Sequence, residues 1–231
     1  MAVSPVIPEY AASVIVLRPG SEGLEVLMVE RPNRGFFGGI VVFPGGKVDA
    51  IDSSDLAKRV VTGDHSDHEF RSAALRELAE ETGLAATDDG VVSSPGGRDE
   101  QLYQAFEDSG RTLSGETLVM VSRWVTPESA PRRFDTFFYL LAAVTTPEVQ
   151  LDKNELVDHA WVTPSEALRR HDRGEWMMIL PTLAHLRWLE RRNSIRDALV
   201  SAMGADGRTL IEPRRLEDGS IVPVHLPAEL P

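Results

Sequence analysis

A chain of 231 residues, 42% of them hydrophobic, has the length for one generous domain whose core needs no staples. It contains no cysteine, which excludes a disulfide framework, a thiolate metal site and a cysteine nucleophile. Its 24 basic and 36 acidic residues give a formal net charge of −12, a balance that repels nucleic acid, so a phosphate-bearing ligand would need a divalent metal to attract it.

The N-terminal stretch MAVSPVIPEY has no basic n-region, and the apolar run that follows, Ala11–Leu17, is too short for a signal core. No run approaches the length of a membrane span. The expectation is a cytoplasmic protein with no membrane partner.

Ala11–Leu17 and Leu24–Glu30 read as two strands of a hairpin about a Pro-Gly turn region. A glycine-rich loop, RPNRGFFGG, leads to a short apolar strand at Ile40–Phe43, stopped by Pro44-Gly45-Gly46. Residues 47–67 are polar and irregular, with a short helix around Asp55–Val61. A helix is expected from about His68 to Thr82 with Gly83 just beyond its end, and another over Asp99–Ser109. Strands follow at Leu118–Val125, Phe134–Val144 and Ala160–Val162. Thr163 or Ser165 caps a helix running to Arg173; amphipathic helices at Pro181–Arg192 and Ser194–Met203 precede a hairpin of Thr209–Arg214 and Ile221–His225. Strands mixed with helices make an α/β or α+β domain.

The helix at 68–82 carries ALRELAEETGL, with three glutamates near an end where the helix dipole favours cations. On a wheel of about 100° per residue, Glu77, Glu80 and Glu81 share one arc about 100° wide, while Leu75, Leu78, Ala79 and Thr82 form a separate core stripe. Carboxylates at i, i+4 repel unless a hard cation sits between them. Arg76 is placed to pair with Glu80 four residues on. A solvated helix face is the plainer reading of ExxEE alone.

The surrounding sequence decides. Gly46-Lys-Val-Asp49-Ala-Ile-Asp52 precedes Arg76-Glu77-Leu78-Ala79-Glu80-Glu81-Thr82-Gly83-Leu84, and together they resemble the Nudix box: glycine, five residues, Glu, seven residues, then R-E-U-x-E-E-x-G-U with U aliphatic. The second half agrees at every defined position. Asp52 stands where the pattern has Glu, and the next gap holds 23 residues instead of seven, an insertion of 16. Such an insertion, with VFPGGKVD, WVTP and PRRFDTFF, is similar to the coenzyme A diphosphatase-like subgroup, although the chain ends AELP and lacks its peroxisomal signal.

The resemblance implies an α/β/α sandwich with a mixed sheet over 1–190, with an insertion at 53–68, and a C-terminal helix and hairpin extension at 191–231 that is not an independent domain. It implies Mg2+- or Mn2+-dependent hydrolysis of a P–O–P linkage in a nucleoside diphosphate derivative such as coenzyme A or an acyl-CoA. Glu77, Glu80, Glu81 and the Gly46 carbonyl become metal ligands, and Arg76 a catalytic-site residue. Glu155, six residues before Trp161, lies where some members place the general base. Arg132, Arg133 and Phe134, and Arg34 with Phe36 and Phe37, are candidates to clamp a phosphate and stack a ring. Asp52 or Glu69 serves as a cap or a further acid. His65 and His68 have metal-like spacing inside a polar insertion, where a structural metal is disfavoured. The expected partner is a small diphosphate, with room for a homodimer. A non-catalytic domain sensing a nucleotide-derived ligand is the alternative. An isomerase of the isopentenyl diphosphate type needs a cysteine this chain lacks.

Overall fold

The computed structural model describes residues 6–34, 38–204, 210–215 and 221–224. In chain order these form β1 (Glu9–Gly20), β2 (Gly23–Glu30), β3 (Val41–Val42), β4 (Gly45–Lys47), α1 (Asp55–Val60), β5 (Val61–Thr62), α2 (His68–Thr82), β6 (Leu84–Thr87), β7 (Gly90–Ser93) and α3 (Glu100–Asp108). Then come β8 (Leu113–Ser114), β9 (Leu118–Val125), β10 (Phe134–Ala142), β11 (Asp158–Val162), α4 (Pro164–Asp172), α5 (Leu180–Glu190), α6 (Ile195–Met203), β12 (Leu210–Arg215) and β13 (Ile221–Val224).

The main sheet runs β11-β2-β1-β10-β9-β12-β13, with β3 on β2 and β4 on β1. Its strands are mixed: β1 is parallel to β10 and antiparallel to β2, as the expected hairpin requires, while β12 lies parallel to β9. β1 shows why the sheet is central. Val14 and Val16 point into one core with Leu75, Leu78, Tyr103 and Phe106, whereas Ile15 and Leu17 point into another with Leu186, Trp188 and Ala198. Successive side chains of a strand face opposite ways, so a run buried at every position must carry helices on both faces. The result is the mixed α/β sandwich expected. Among the described residues no helix is long and apolar enough to cross a membrane.

Three local readings are corrected. Pro44-Gly45-Gly46 does not simply stop a strand: Gly45–Lys47 pairs with β1, with Ser13 opposite Gly45. Gly45 has φ 152° and a Cβ there would lie 2.3 Å from the Ala12 carbonyl oxygen, so only glycine permits this close approach. The β6–β7 hairpin had no counterpart in the sequence reading; it turns at Asp88-Asp89 before Gly90. Finally, α2 has no solvated edge, since every residue from Phe70 to Thr82 is buried. The helix ends as expected, with Gly83 at φ 69° donating its N–H to Ala79.

The insertion at 53–68 is ordered around α1, which buries Leu56, Ala57 and Val60 and packs against α3. None of its residues lines the main cavity.

Candidate active site

α2 lies along β1 and β4, which brings its acidic side against the Gly45–Gly46 backbone. Gly45 N–H donates to Glu81 Oε2 at 2.8 Å, and Arg31 donates to the Gly45 carbonyl at 2.6 Å and to Glu81 Oε1 at 3.3 Å. A Cβ on Gly46 would come 2.4 Å from the Glu77 carboxyl carbon. The backbone of Gly46 therefore abuts the Glu77 carboxylate, and any side chain there would displace it.

Arg76 is the almost fully buried counter-charge. Its Nε and Nη2 donate to Asp52 at 2.8 and 3.0 Å, Nη1 to Glu77 at 2.9 Å and Glu80 at 3.4 Å, and Nη2 also to the Lys47 carbonyl at 3.0 Å. Asp52 is itself buried; it accepts from Asp49 N–H at 2.8 Å, as a cap would, and from the Tyr103 hydroxyl at 2.7 Å. Its structural work is to hold Arg76. Glu69 stays exposed in the first turn of α2.

The three helix glutamates have different surroundings. Glu80 accepts from Asp99 N–H at 2.6 Å and has Arg98 Nη2 at 3.6 Å. Glu77 and Glu81 instead meet Glu155, reaching in from the loop between β10 and β11: each offers an oxygen within 4.8 Å of the others. Burial pushes Glu81 up to about 8, with the Glu77 charge adding and Arg31 opposing. It lifts Glu77 to about 7 against the pull of Arg76, and raises Glu80 as well. Desolvated carboxylates facing one another hold protons at neutral pH unless a cation replaces them. The donor set, all hard oxygen, suits Mg2+ or Mn2+. The residues fit a divalent metal.

Arg98, from the turn before α3, pairs with both Glu155 and Asp152. Sequence reasoning passed over Arg98, Arg31 and Tyr103. For Arg98 one local signal existed: a Pro-Gly-Gly turn delivering Arg-Asp to a helix start, in SPGGRD.

Above the acids opens a cavity of about 940 Å³. Its acidic floor gives way to an apolar wall that includes Val42, Trp124, Phe134, Phe138, Leu180 and Pro213. The Trp124 indole donates to Ser122 Oγ at 3.1 Å, which lies 2.7 Å from His185 Nε2. His185 Nδ1 sits 2.6 Å from the Pro181 carbonyl and must carry the proton there, so Nε2 accepts from Ser122. Burial holds His185 down at about 4, neutral at physiological pH, and the chain fixes Trp124 from behind.

The expected substrate clamps divide. Arg132 lines the cavity, with its guanidinium over the Phe134 ring at 5.5 Å and bonded to Glu9, which also takes Lys47. Arg133 points elsewhere: it is buried and donates to the carbonyls of Thr126 and Val6, each at 2.9 Å. Arg34 lines the cavity and donates to the Asn154 carbonyl. Phe36 and Phe37 lie outside the described residues. His65 and His68 are not paired as ligands: His65 faces Glu116 at 3.3 Å, and His68 bonds the Val61 carbonyl and Ser72.

Comparison with known proteins is consistent with this geometry. The NUDIX domain family matches residues 8–179. "Putative nudix hydrolase 7" of Caenorhabditis elegans is 30% identical over 170 residues, which cover 70% of this chain and 54% of the relative; the chain thus spans about half the length of that curated protein. Among solved structures, a NUDIX hydrolase from Alicyclobacillus acidocaldarius is similar at a TM-score of 0.72 and 29% identity, covering 84% of this chain and 96% of that one.

Proposed function

This chain belongs to the NUDIX domain family, and from that premise we propose that it is a hydrolase that splits the P–O–P linkage of a nucleoside diphosphate derivative, with coenzyme A or an acyl-CoA as the substrate class. One observation carries the reading: Glu77, Glu81 and Glu155 converge within 4.8 Å at the floor of a cavity of about 940 Å³. Carboxylates so close, two of them buried, are unfavourable by themselves, which is the arrangement expected where function outweighs stability.

Glu77, Glu81 and Glu155, with Glu80 and the Gly46 backbone beside them, would hold a divalent cation, which would supply positive charge to the diphosphate oxygens. The chain's own residues do the rest. Arg76 fixes the rotamers of Glu77 and Glu80 through its bonds to both. Glu155 is the most exposed acid of the cluster, its side chain 36% accessible, and so the one that water reaches. It accepts the proton as water attacks one phosphorus; the bridging P–O bond breaks, and two phosphate-ended products leave. Arg132 over Phe134, with Arg34, gives cations at the cavity edge for the substrate's outer phosphate groups.

The CoA class rests on two supports: the insertion within the box, and the apolar wall that includes Val42 and Pro213, which offers a surface to a pantetheine arm or acyl chain. Mass spectrometry of products tests both levels. The protein is incubated with Mg2+ or Mn2+ and, in turn, coenzyme A, acyl-CoAs, NADH, ADP-ribose, nucleotide sugars and dinucleoside polyphosphates, with Glu81→Gln alongside. The expected products from CoA are 3′,5′-ADP and phosphopantetheine, and Glu81→Gln is expected to be folded and inactive. Cleavage of a different panel member keeps the reaction and discards the CoA class. Tight binding of one ligand with no cleavage of any would move the protein to a sensor role, and an active Glu81→Gln would overturn the metal assignment.

A further inference from the structure

The turn Ser94–Asp99 joins β7 to α3 and is bent toward the acids by two glycines in the positive-φ region, Gly96 at 85° and Gly97 at 93°. Asp99 follows at φ 51°, ψ −125°, a conformation that residues with a side chain rarely adopt. Strained backbone persists only where its surroundings over-determine it. Here the restraint is visible: Asp99 N–H donates to Glu80 Oε1 at 2.6 Å, seating the turn on α2.

That seat sends Arg98 across the site. Its Nη1 pairs with Asp152, its Nη2 with Glu155, and Nη2 lies 3.6 Å from Glu80 Oε2. One guanidinium therefore ties an α2 glutamate to the loop bearing Glu155. The loop backbone does not depend on this tie, because Gln150 N–H donates to the Thr82 carbonyl at 2.8 Å and Asp152 N–H to the Glu81 carbonyl at 3.1 Å. What Arg98 adds is the direction of the Glu155 side chain. Among the described residues Arg98 is the one side chain that bonds the Glu155 carboxylate, and without it that group is free to swing toward solvent.

We propose that Arg98 is a positioning residue of this site: it holds the Glu155 carboxylate against Glu77 and Glu81, so that the cluster is assembled before cation or substrate arrives. The inference rests on reading these acids as the metal and base cluster of a diphosphate hydrolase. Arg98 also lines the cavity, its side chain 42% accessible, so direct contact with a substrate phosphate is the rival role to be separated.

A double-mutant cycle separates them. Arg98→Ala, Glu155→Ala and the double variant are compared by Mn2+ affinity, read by electron paramagnetic resonance without substrate, and by kcat and KM. Residues that orient a ligand typically cost about 10–100-fold in affinity or activity when lost. Arg98→Ala is expected to weaken Mn2+ binding and lower kcat within that range with KM little changed, Arg98→Lys to recover part of both, and Arg98→Ala to add nothing once Glu155 is gone. Multiplicative losses with a raised KM would assign Arg98 to the substrate and overturn the proposal, as would unchanged Mn2+ affinity in Arg98→Ala. If the wild type cleaves no diphosphate, the proposed function fails, but the substrate-free Mn2+ cycle still decides whether Arg98 acts through Glu155.

Discussion

Arg76 is buried with Asp52, Glu77 and Glu80 within 3.4 Å of its guanidinium nitrogens, and the mutual charges hold its proton far more tightly than usual. Removing a buried partner leaves uncompensated charge, at a cost of about 3–5 kcal/mol. Arg76→Ala is therefore expected to lose about that much stability, a fall of about 10 °C in melting temperature for a domain of this size. Arg76→Lys should recover less than half, since a lysine is a point charge and cannot serve Asp52 and Glu77 through one planar fork. Urea unfolding of the three proteins checks this, and a loss below about 1 kcal/mol for the alanine variant would show that the acids relax by themselves. Arg76 and the helix glutamates were legible in the sequence because their spacing is local. Arg98 was not, since the two carboxylates it bonds, Asp152 and Glu155, lie 54 and 57 positions away, in a loop whose path no periodicity reveals. Arg133 shows the opposite failure: an arginine next to an aromatic suggested a phosphate clamp, but two backbone carbonyls had claimed it.

At the scale of the element, α2 is the part whose type and ends follow most directly from sequence: a 3.6-residue stripe of Leu75, Leu78 and Ala79, and a glycine with positive φ to stop it. Its enclosure did not follow, because the covering pieces (β4, the 94–99 turn and the 150–156 loop) come from three distant stretches. The β6–β7 hairpin was missed although Asp88-Asp89-Gly90 is a turn signal between apolar pairs. Enclosure has a consequence that pH can read. In the metal-free protein Glu77 and Glu81 have folded-state values raised from 4.5 to about 7 and about 8. The native state then binds more protons than the unfolded chain, so the stability these groups contribute is full below about 4.5 and is lost as pH rises through 7 to 8. His185 works in the opposite direction, since its folded value of about 4 lies below the ordinary 6.5, but its contribution is complete above pH 6.5. Between pH 6.5 and 8.5 the glutamates decide. In EDTA the melting temperature is expected to fall across that window, and saturating Mg2+ or Mn2+ to raise it by an increment that grows with pH, as the cation no longer has protons to displace. Differential scanning fluorimetry at pH 6.5, 7.5 and 8.5 measures both; an increment that is flat with pH, or absent, would rule out the buried glutamates as the metal's ligands.

For the whole molecule, the question is whether the C-terminal stretch belongs to the same cooperative unit as the sandwich. The sequence marks 191–231 as an extension, and hairpin periodicity places strands at its end, but nothing local says where they dock. Pairing is a long-range choice made by whichever sheet edge is open. β12 takes the edge of β9, with Leu210 opposite Arg123 and Ile211 opposite Trp124. Ile211 is buried in the core that contains Trp124 and Leu186, Pro213 contributes to the cavity wall, and α6 packs on β9 and β10. The strand thus lies beside the tryptophan and shares the apolar wall with it. Truncation after Gly204 would expose the β9 edge and open the packing around Ile211, a site where loss of one buried aliphatic side chain alone costs about 2–5 kcal/mol. The full chain is expected to melt in a single calorimetric transition, with calorimetric and van't Hoff enthalpies equal, and the truncated chain to melt at a lower temperature, also in one step. Because the acidic floor lies on the other face of the sheet from α6, truncation should raise KM for substrates with a long apolar arm far more than it lowers kcat. Two resolved transitions in the full chain, or a truncated protein of unchanged stability and KM, would show that the extension folds apart from the sandwich and takes no part in shaping its cavity.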